Sequence, residues 1–323
     1  MQQITAWMLD GKGNAQLLPV DQAAGAVVPE GGFLWVHSRQ SSGEDDTWLT
    51  NLGGDAMVAA ALLADETRPR CTLHLGGVLM NLRGVNLNPG AQPEDMVSLR
   101  IWAGPDKIVM LTRRPVLALS DIEARSANGN APTSVADMIA QLALRLADRT
   151  EPVVAELNEQ IDDLEDSVTG GTSVASRSAL SNIRRVSIML RRYMFPQRDA
   201  LSTLEIEALA WVSPGQRATL REATERVTRL AEELDAIRDR AQVVHDHLMD
   251  VRAEAMNRQM LVLSVVTAVF LPLGLITGLL GINVGGIPGA EMAQAFWIVC
   301  AVLLGIGAVQ LWLFARLGWL GRR

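Results

Sequence analysis

Hydrophobic and polar positions follow three successive rhythms along this chain. Over residues 1–113 short apolar runs alternate with polar and glycine-rich punctuation. Residues 4–9, 33–37, 71–75, 78–85, 97–102 and 108–112 predict strands, with turns at Gly11 and Gly13 and at Gly76 and Gly77. Residues 55–65 predict a helix, so this part reads as an α/β domain with a mixed sheet. From Val116 the period changes to a helical one. Gly129 with Pro132, Gly170 with Gly171, and Ser213, Pro214 and Gly215 mark the breaks between successive helices. In the last and longest helix Leu220, Val227, Leu234, Ala241 and Leu248 recur every seven residues, and Ala223, Leu230, Ile237, Val244 and Val251 repeat three positions later. Such a seam must pack on the chain's own helices or on neighbouring copies.

The third rhythm is continuous apolarity. Residues 259–281 and 293–315 carry no charge. About 20 apolar residues at ~1.5 Å each cross the ~30 Å hydrocarbon core of a bilayer, and both runs pass that test. The loop between them is short, which predicts a hairpin with both ends on one side. Arg252 and Arg258 precede the first run, Arg316, Arg322 and Arg323 follow the second, and the loop holds only Glu291. Basic residues gather on the cytoplasmic side, so both termini are expected there and the loop outside. The opening residues predict no cleaved leader, lacking a basic start and an unbroken apolar run. No proline interrupts residues 216–271, so one helix can run from the soluble part into the membrane.

A polar stripe rides on that helix. Asp246, Asp250, Ala253, Asn257, Met260, Ser264, Thr267, Leu271, Gly274, Gly278 and Gly281 follow at steps of three or four. Tight helix packing accounts for the glycines; a water-filled lumen accounts also for Asp246, Asp250, Asn257, Ser264 and Thr267. Two spans cannot enclose a pore, so a lumen requires several copies around an axis. At the outer end, Gly281 allows the helix to stop, and Asn283 offers a neutral amide that can hydrogen-bond the waters of a hydrated cation.

The chain has 323 residues, 49% hydrophobic and 20% charged, with a net charge of −7. No basic stripe of the kind nucleic acid requires is present. An acidic surplus suits a vestibule that handles cations, and equally an ordinary soluble surface. Cys71 and Cys300 are the only cysteines and have no metal-ligand spacing, so both read as structural. His37 and His74 fall in strands and read the same way. His245 and His247 bracket Asp246, and Asp250 shares its helix face. Repeated around an axis, these imidazoles and carboxylates are candidate zinc ligands, and histidine titration can link metal occupancy to protons. Glu291 is the remaining candidate metal ligand. The run Glu156, Glu159, Asp162, Asp163, Glu165 and Asp166 reads first as a solvated helix face. No P-loop, no His-Glu-x-x-His and no Gly-x-Ser-x-Gly occurs, so no nucleotide, resident cofactor or enzymatic activity is expected.

Two terminal spans, Gly281, Ile282 and Asn283 closing the first, and a long helix leading into it resemble the CorA superfamily of divalent-cation transporters. The block Arg191, Arg192, Tyr193, Met194, Phe195, Pro196, Gln197 and Arg198 resembles the stretch before the stalk helix in that superfamily. The magnesium-type members carry Gly-Met-Asn. Ile282 in the middle, followed by Val284, Gly285 and Gly286, is similar to the ZntB branch of zinc transporters.

The resemblance implies an α+β cytoplasmic domain, a stalk helix, two transmembrane helices and a funnel-shaped homopentamer in a bacterial inner membrane. It implies a domain at 1–130, a helical region and stalk at 131–258, and a pore-lining span at 259–281. An outer loop at 282–292, a second span at 293–315 and a basic tail at 316–323 complete it. It also implies that Gly281, Ile282 and Asn283 form the outer selectivity filter and that Asp246 stands at the pore's neck. Zinc uptake coupled to protons is the expected activity, with zinc as the transported ion and lipid as the surroundings. A magnesium or cobalt channel gated by cytoplasmic cations, zinc efflux, and a sensor domain merely anchored by the hairpin are the rivals.

Overall fold

A computed structural model of the chain describes residues 3–39, 48–49, 52, 54–169, 177–287, 289 and 291–318. The turn expected at Gly170 and Gly171 and the tail residues Arg322 and Arg323 lie outside the described residues. The chain divides into two compact units, Met1–His245 and Asp246–Arg323.

The first unit is built on strands β1 (Gln3–Leu9), β2 (Ala15–Leu18), β3 (Phe33–Arg39), β4 (Arg70–His74), β5 (Gly77–Gly84), β6 (Val97–Ala103) and β7 (Lys107–Thr112). They form one seven-stranded sheet in the order β2-β1-β3-β7-β6-β5-β4. Its pairings are antiparallel except β3 with β7, where Leu34 lies opposite Lys107 and Arg39 opposite Thr112. The long excursion between those two strands supplies the crossover that a parallel pair requires.

Central strands β5 and β7 are buried at nearly every position, because helices cover both faces of the sheet. Helix α1 (Val20–Ala23) packs beside β1. On the first face helix α2 (Ala56–Leu63) sets Val58 and Leu62 against Leu34, Val36, Leu79, Val109 and Leu111. Asp55 caps this helix by accepting the Val58 N–H at 2.8 Å. On the other face lie α3 (Leu117–Ala127), α4 (Val135–Thr169) and α5 (Arg177–Ile206). The hairpin β4–β5 turns on Leu75 and Gly76, both at positive φ (48° and 77°), where a two-residue connection matches the strand twist.

Helix α6 (Pro214–Leu280) is 67 residues long. Its start is a reciprocal cap: Gln216 N–H donates to Ser213 Oγ at 3.3 Å, Ser213 N–H donates to Gln216 Oε1 at 2.8 Å, and Pro214 takes the first helical position. The heptad seam is buried from Leu220 through Val244. It packs on the chain's own α4 and α5, and ion pairs stitch its edges: Arg226 with Asp148, Arg240 with Asp162 and Glu165, Arg221 with Glu205, and Arg191 with Asp235. The seam expected to continue through Leu248 and Val251 is shorter. Val251 is 48% exposed.

The second unit holds the rest of α6 and helix α7 (Ala295–Arg316). Both helices are long and apolar enough to cross a membrane, and α7 buries no residue fully within the chain.

Candidate conduit and outer turn

In the second unit one face of α6 meets α7. Val265 is buried, and Val269, Pro272, Leu273 and Ile276 are half-buried on the same side. From α7 the half-buried set is Val299, Cys300, Leu303, Ile306, Gly307, Gln310 and Phe314, again at helical spacing. A polar contact ties the pair. Pro272 has no N–H, so the Ala268 carbonyl four residues earlier loses its helical partner. Gln310 Nε2 donates to that carbonyl at 3.4 Å. Within hydrocarbon a freed carbonyl needs such a partner, which gives Gln310 a structural task.

The polar stripe lies elsewhere on α6. At ~100° per residue, positions 257, 260, 264, 267, 271, 274 and 278 centre about 155° away from the face that meets α7. Asp246, Asp250, Asn257, Met260, Ser264, Thr267, Leu271, Gly274 and Gly278 are all exposed. Packing on the second span therefore does not account for the stripe. The hydroxyl of Thr267 donates to Leu263 O at 2.8 Å, which satisfies its proton and leaves its oxygen lone pairs outward.

The helix ends where the Gly-Ile-Asn triplet begins. Gly281 N–H reaches both Thr277 O (2.9 Å) and Gly278 O (3.2 Å), closing the last turn. A Cβ on Gly281 would sit 3.1 Å from Thr277 O, tight against backbone. Val284 N–H then donates to Ile282 O at 2.9 Å, reversing the chain across Asn283. Ile282 and Asn283 are exposed, and none of these backbone bonds uses the asparagine side chain.

At the opposite end of this stretch, His245 is half-buried while Asp246, His247 and Asp250 are exposed. Glu291 is exposed in the loop after the span. From His247 to Gly281 the helix rises about 50 Å, so Glu291 and the histidine cluster mark opposite ends. Among the described residues no three His, Cys, Asp or Glu side chains of one chain are placed to hold a metal ion.

The remaining candidates settle into the first unit. His37 hydrogen-bonds Thr112 Oγ1 (3.0 Å) and faces Glu123 Oε1 (3.4 Å), and His74 pairs with Asp55 (2.6 Å). Burial, with the Glu207 charge behind it, pushes the Cys71 thiol up to about 12. Exposed Asp162 and half-buried Glu165 pair with Arg240 of α6, and Glu156, Glu159, Asp163 and Asp166 are exposed. The arginine-rich block of α5 is a joint to the sheet. Gln197, buried, accepts the Arg83 backbone N–H at 2.7 Å, and the Arg83 guanidinium stacks 4.2 Å over Tyr193. Arg191 and Arg198 flank Phe195 at 4.8 and 5.1 Å.

Comparison with known proteins places these features in a family. A family model described as CorA-like Mg2+ transporter protein matches residues 30–316. The chain is 38% identical over 321 residues to the divalent cation transporter CmaX of Pseudomonas aeruginosa, covering 98% of this chain and 96% of that one. It is 34% identical over 319 residues to the zinc transport protein ZntB of Yersinia pseudotuberculosis, with the same coverage of 98% and 96%. The solved structure of full-length CmaX superposes with a TM-score of 0.85 at 36% identity, covering 98% of this chain and 97% of that one.

Proposed function

The chain belongs to the CorA-like family of divalent-cation transporters, and on that premise we propose that it carries zinc into a bacterial cell in step with protons. The observation that carries the reading is the polar stripe of α6, turned away from α7 and running to an exposed Asn283. Several copies with their stripes inward enclose a wet conduit, and the family resemblance favours five. Gly281, Ile282 and Asn283 form its outer filter. A ring of neutral amides holds hydrated cations without trapping them.

Zinc is favoured over magnesium on two grounds. A relative over nearly the full length is named a zinc transport protein, and His245 and His247 bring imidazole to the inner end of the stripe. Copies with their stripes inward bring Asp246 of different chains together with His245 beside it, which one chain cannot do, while His247 stands on the other side of the helix. Protons compete with zinc for imidazole and carboxylate, so a proton gradient can drive uptake without a nucleotide.

The membrane is read as a bacterial inner membrane, with both termini in the cytoplasm. Exposed Arg252, Arg258 and Arg316 flank the two spans on that side. Phe296 and Trp297 at one end of α7 and Trp312, under Arg316 at 5.3 Å, at the other supply interfacial aromatic anchors.

The test is ion flux into liposomes holding purified full-length protein, comparing zinc with magnesium, with and without a pH gradient. Gradient-dependent zinc entry supports the proposal. Magnesium entry indifferent to the gradient replaces it with a passive magnesium-type channel, and zinc movement only outward reverses the direction.

A further inference from the structure

Three methionines extend the conduit's chemistry beyond oxygen and nitrogen. Met249, Met256 and Met260 are 50, 58 and 55% exposed on α6. Spacings of seven and four residues place them on one helix face. At ~100° per residue all three fall within about 50° of the stripe's centre and on the side away from α7. The same face over residues 246–260 carries Asp246, Asp250, Ala253 and Asn257. Glu254 and Arg258 point along other directions of the helix, and Arg252 stands at the edge of this face, three residues from Met249 and four from Met256. A face that interleaves carboxylates with thioethers is suited to cations of a particular kind.

Leucine would serve a purely apolar face equally well and with stiffer packing. A thioether differs in being polarisable and a soft ligand. Magnesium is hard, keeps its waters and gains little from sulfur, whereas zinc is borderline and cadmium softer. Repetition of the chain around an axis multiplies each thioether into a ring.

We propose that the thioethers of Met249, Met256 and Met260 are specificity determinants that favour borderline and soft divalent cations over magnesium along the inner half of the conduit. The inference rests on the conduit reading above, which places this face toward the lumen.

The experiment compares wild type with the Met249→Leu, Met256→Leu, Met260→Leu triple variant, full length in liposomes, reading cadmium and magnesium influx separately. Leucine preserves size and apolarity, so the variant differs from wild type in the thioethers alone, and the readout is the ratio of the two fluxes. The cadmium-to-magnesium ratio is expected to fall about tenfold, the lower range for loss of a group that tunes a metal site. An unchanged ratio overturns the proposal and leaves the methionines as an apolar seal. A second measurement uses the unaltered protein, in case the triple variant does not assemble. Peroxide oxidation of each methionine is followed by mass spectrometry with cadmium or magnesium present. Cadmium is expected to slow oxidation at Met249, Met256 and Met260 and not at Met57 or Met292, which are 52 and 58% exposed. Equal oxidation under the two ions refutes the assignment. Cysteine at Ser264 or Thr267, probed with a water-soluble thiol reagent, separates the two levels. Labelling there with an unchanged ratio rejects only the thioether role. Absence of labelling rejects the conduit and this inference with it.

Discussion

Replacing Asn283 by alanine removes one amide per copy from the outer turn and little else. The turn is held by Gly281 N–H on Thr277 O and Gly278 O and by Val284 N–H on Ile282 O, all backbone bonds. An exposed side chain outside those bonds changes folding stability by less than about 0.5 kcal/mol. The effect on transport is larger, because copies act on one ion. Each amide hydrogen bond to a hydrated cation contributes about 0.5–1.5 kcal/mol net. Loss of only two such contacts therefore costs about 1–3 kcal/mol, or about 5- to 150-fold in ion occupancy at the filter. The assay is zinc entry into liposomes containing a trapped zinc-sensitive dye, at equal protein density and with assembly checked by size. Flux within twofold of wild type would refute the filter assignment. Ile282→Met is the companion variant. It keeps the asparagine amide, so zinc entry persists, and any gain in magnesium entry measures how far the middle residue sets selectivity.

Four further outcomes follow from the geometry. Cysteines at positions 257, 264, 267, 271 and 278, in a background lacking Cys71 and Cys300, are expected to react with a small water-soluble thiol reagent far faster than cysteines at 262, 266 and 270; equal rates reject the stripe as lumen-facing. Asp246→Asn combined with His245→Ala and His247→Ala is expected to flatten the pH dependence of zinc uptake more than it lowers capacity, and a full pH response in the variant moves proton coupling elsewhere. Cys71, half-buried, has its thiol pushed from 9.0 up to about 12 by burial, so maleimide labelling of folded protein at pH 8 is expected to be much slower than of unfolded protein; the stability tied to this group is intact below 9.0 and declines as the pH rises toward 12, and equal labelling rates in the two states contradict the shift. Gln310→Leu leaves the Ala268 carbonyl without its donor and is expected to weaken the helical hairpin by about 0.6–1.7 kcal/mol, read as a lower unfolding midpoint in detergent.

The sequence made the sheet legible where strands carry enough apolar residues to be covered on both faces. The expected strands at 78–85 and 108–112 appear as Gly77–Gly84 and Lys107–Thr112. Strand β2 was not legible. Ala15–Leu18 has four residues, no two-residue alternation and an edge position, and it forms because the turn after Leu9 returns it to β1. That turn depends on Asp10 accepting the N–H groups of Lys12 and Asn14 at 2.7 and 3.0 Å. The seam of α6 was legible as a pattern but not in its extent. Leu248 and Val251 continue the repeat, whereas burial stops at Val244, and a repeat by itself does not say how far its partners reach. The Gln310 contact was equally hidden, since it depends on the register of two helices and on a carbonyl freed by Pro272.

The outer turn and the inner His245–His247 cluster differed in legibility for a related reason. Gly281, Ile282 and Asn283 are contiguous, so the geometry they need is local and one chain suffices to form it. His245, Asp246 and His247 are also contiguous, but one helix sends adjacent side chains ~100° apart, and no single chain assembles them into a site. Under the proposal, chemistry of that kind would be completed by repetition of the chain. The same logic explains the exposed face of α6, with its carboxylates, thioethers, amide and hydroxyls, as half of a structure. α7 meets the opposite side, and under the proposal a water-filled axis shared with other copies would give the polar side the environment a lipid bilayer withholds. A hairpin that served only as an anchor would have no physical reason to keep Asn257, Ser264 and Thr267 aligned over about three turns, directed away from its own partner helix.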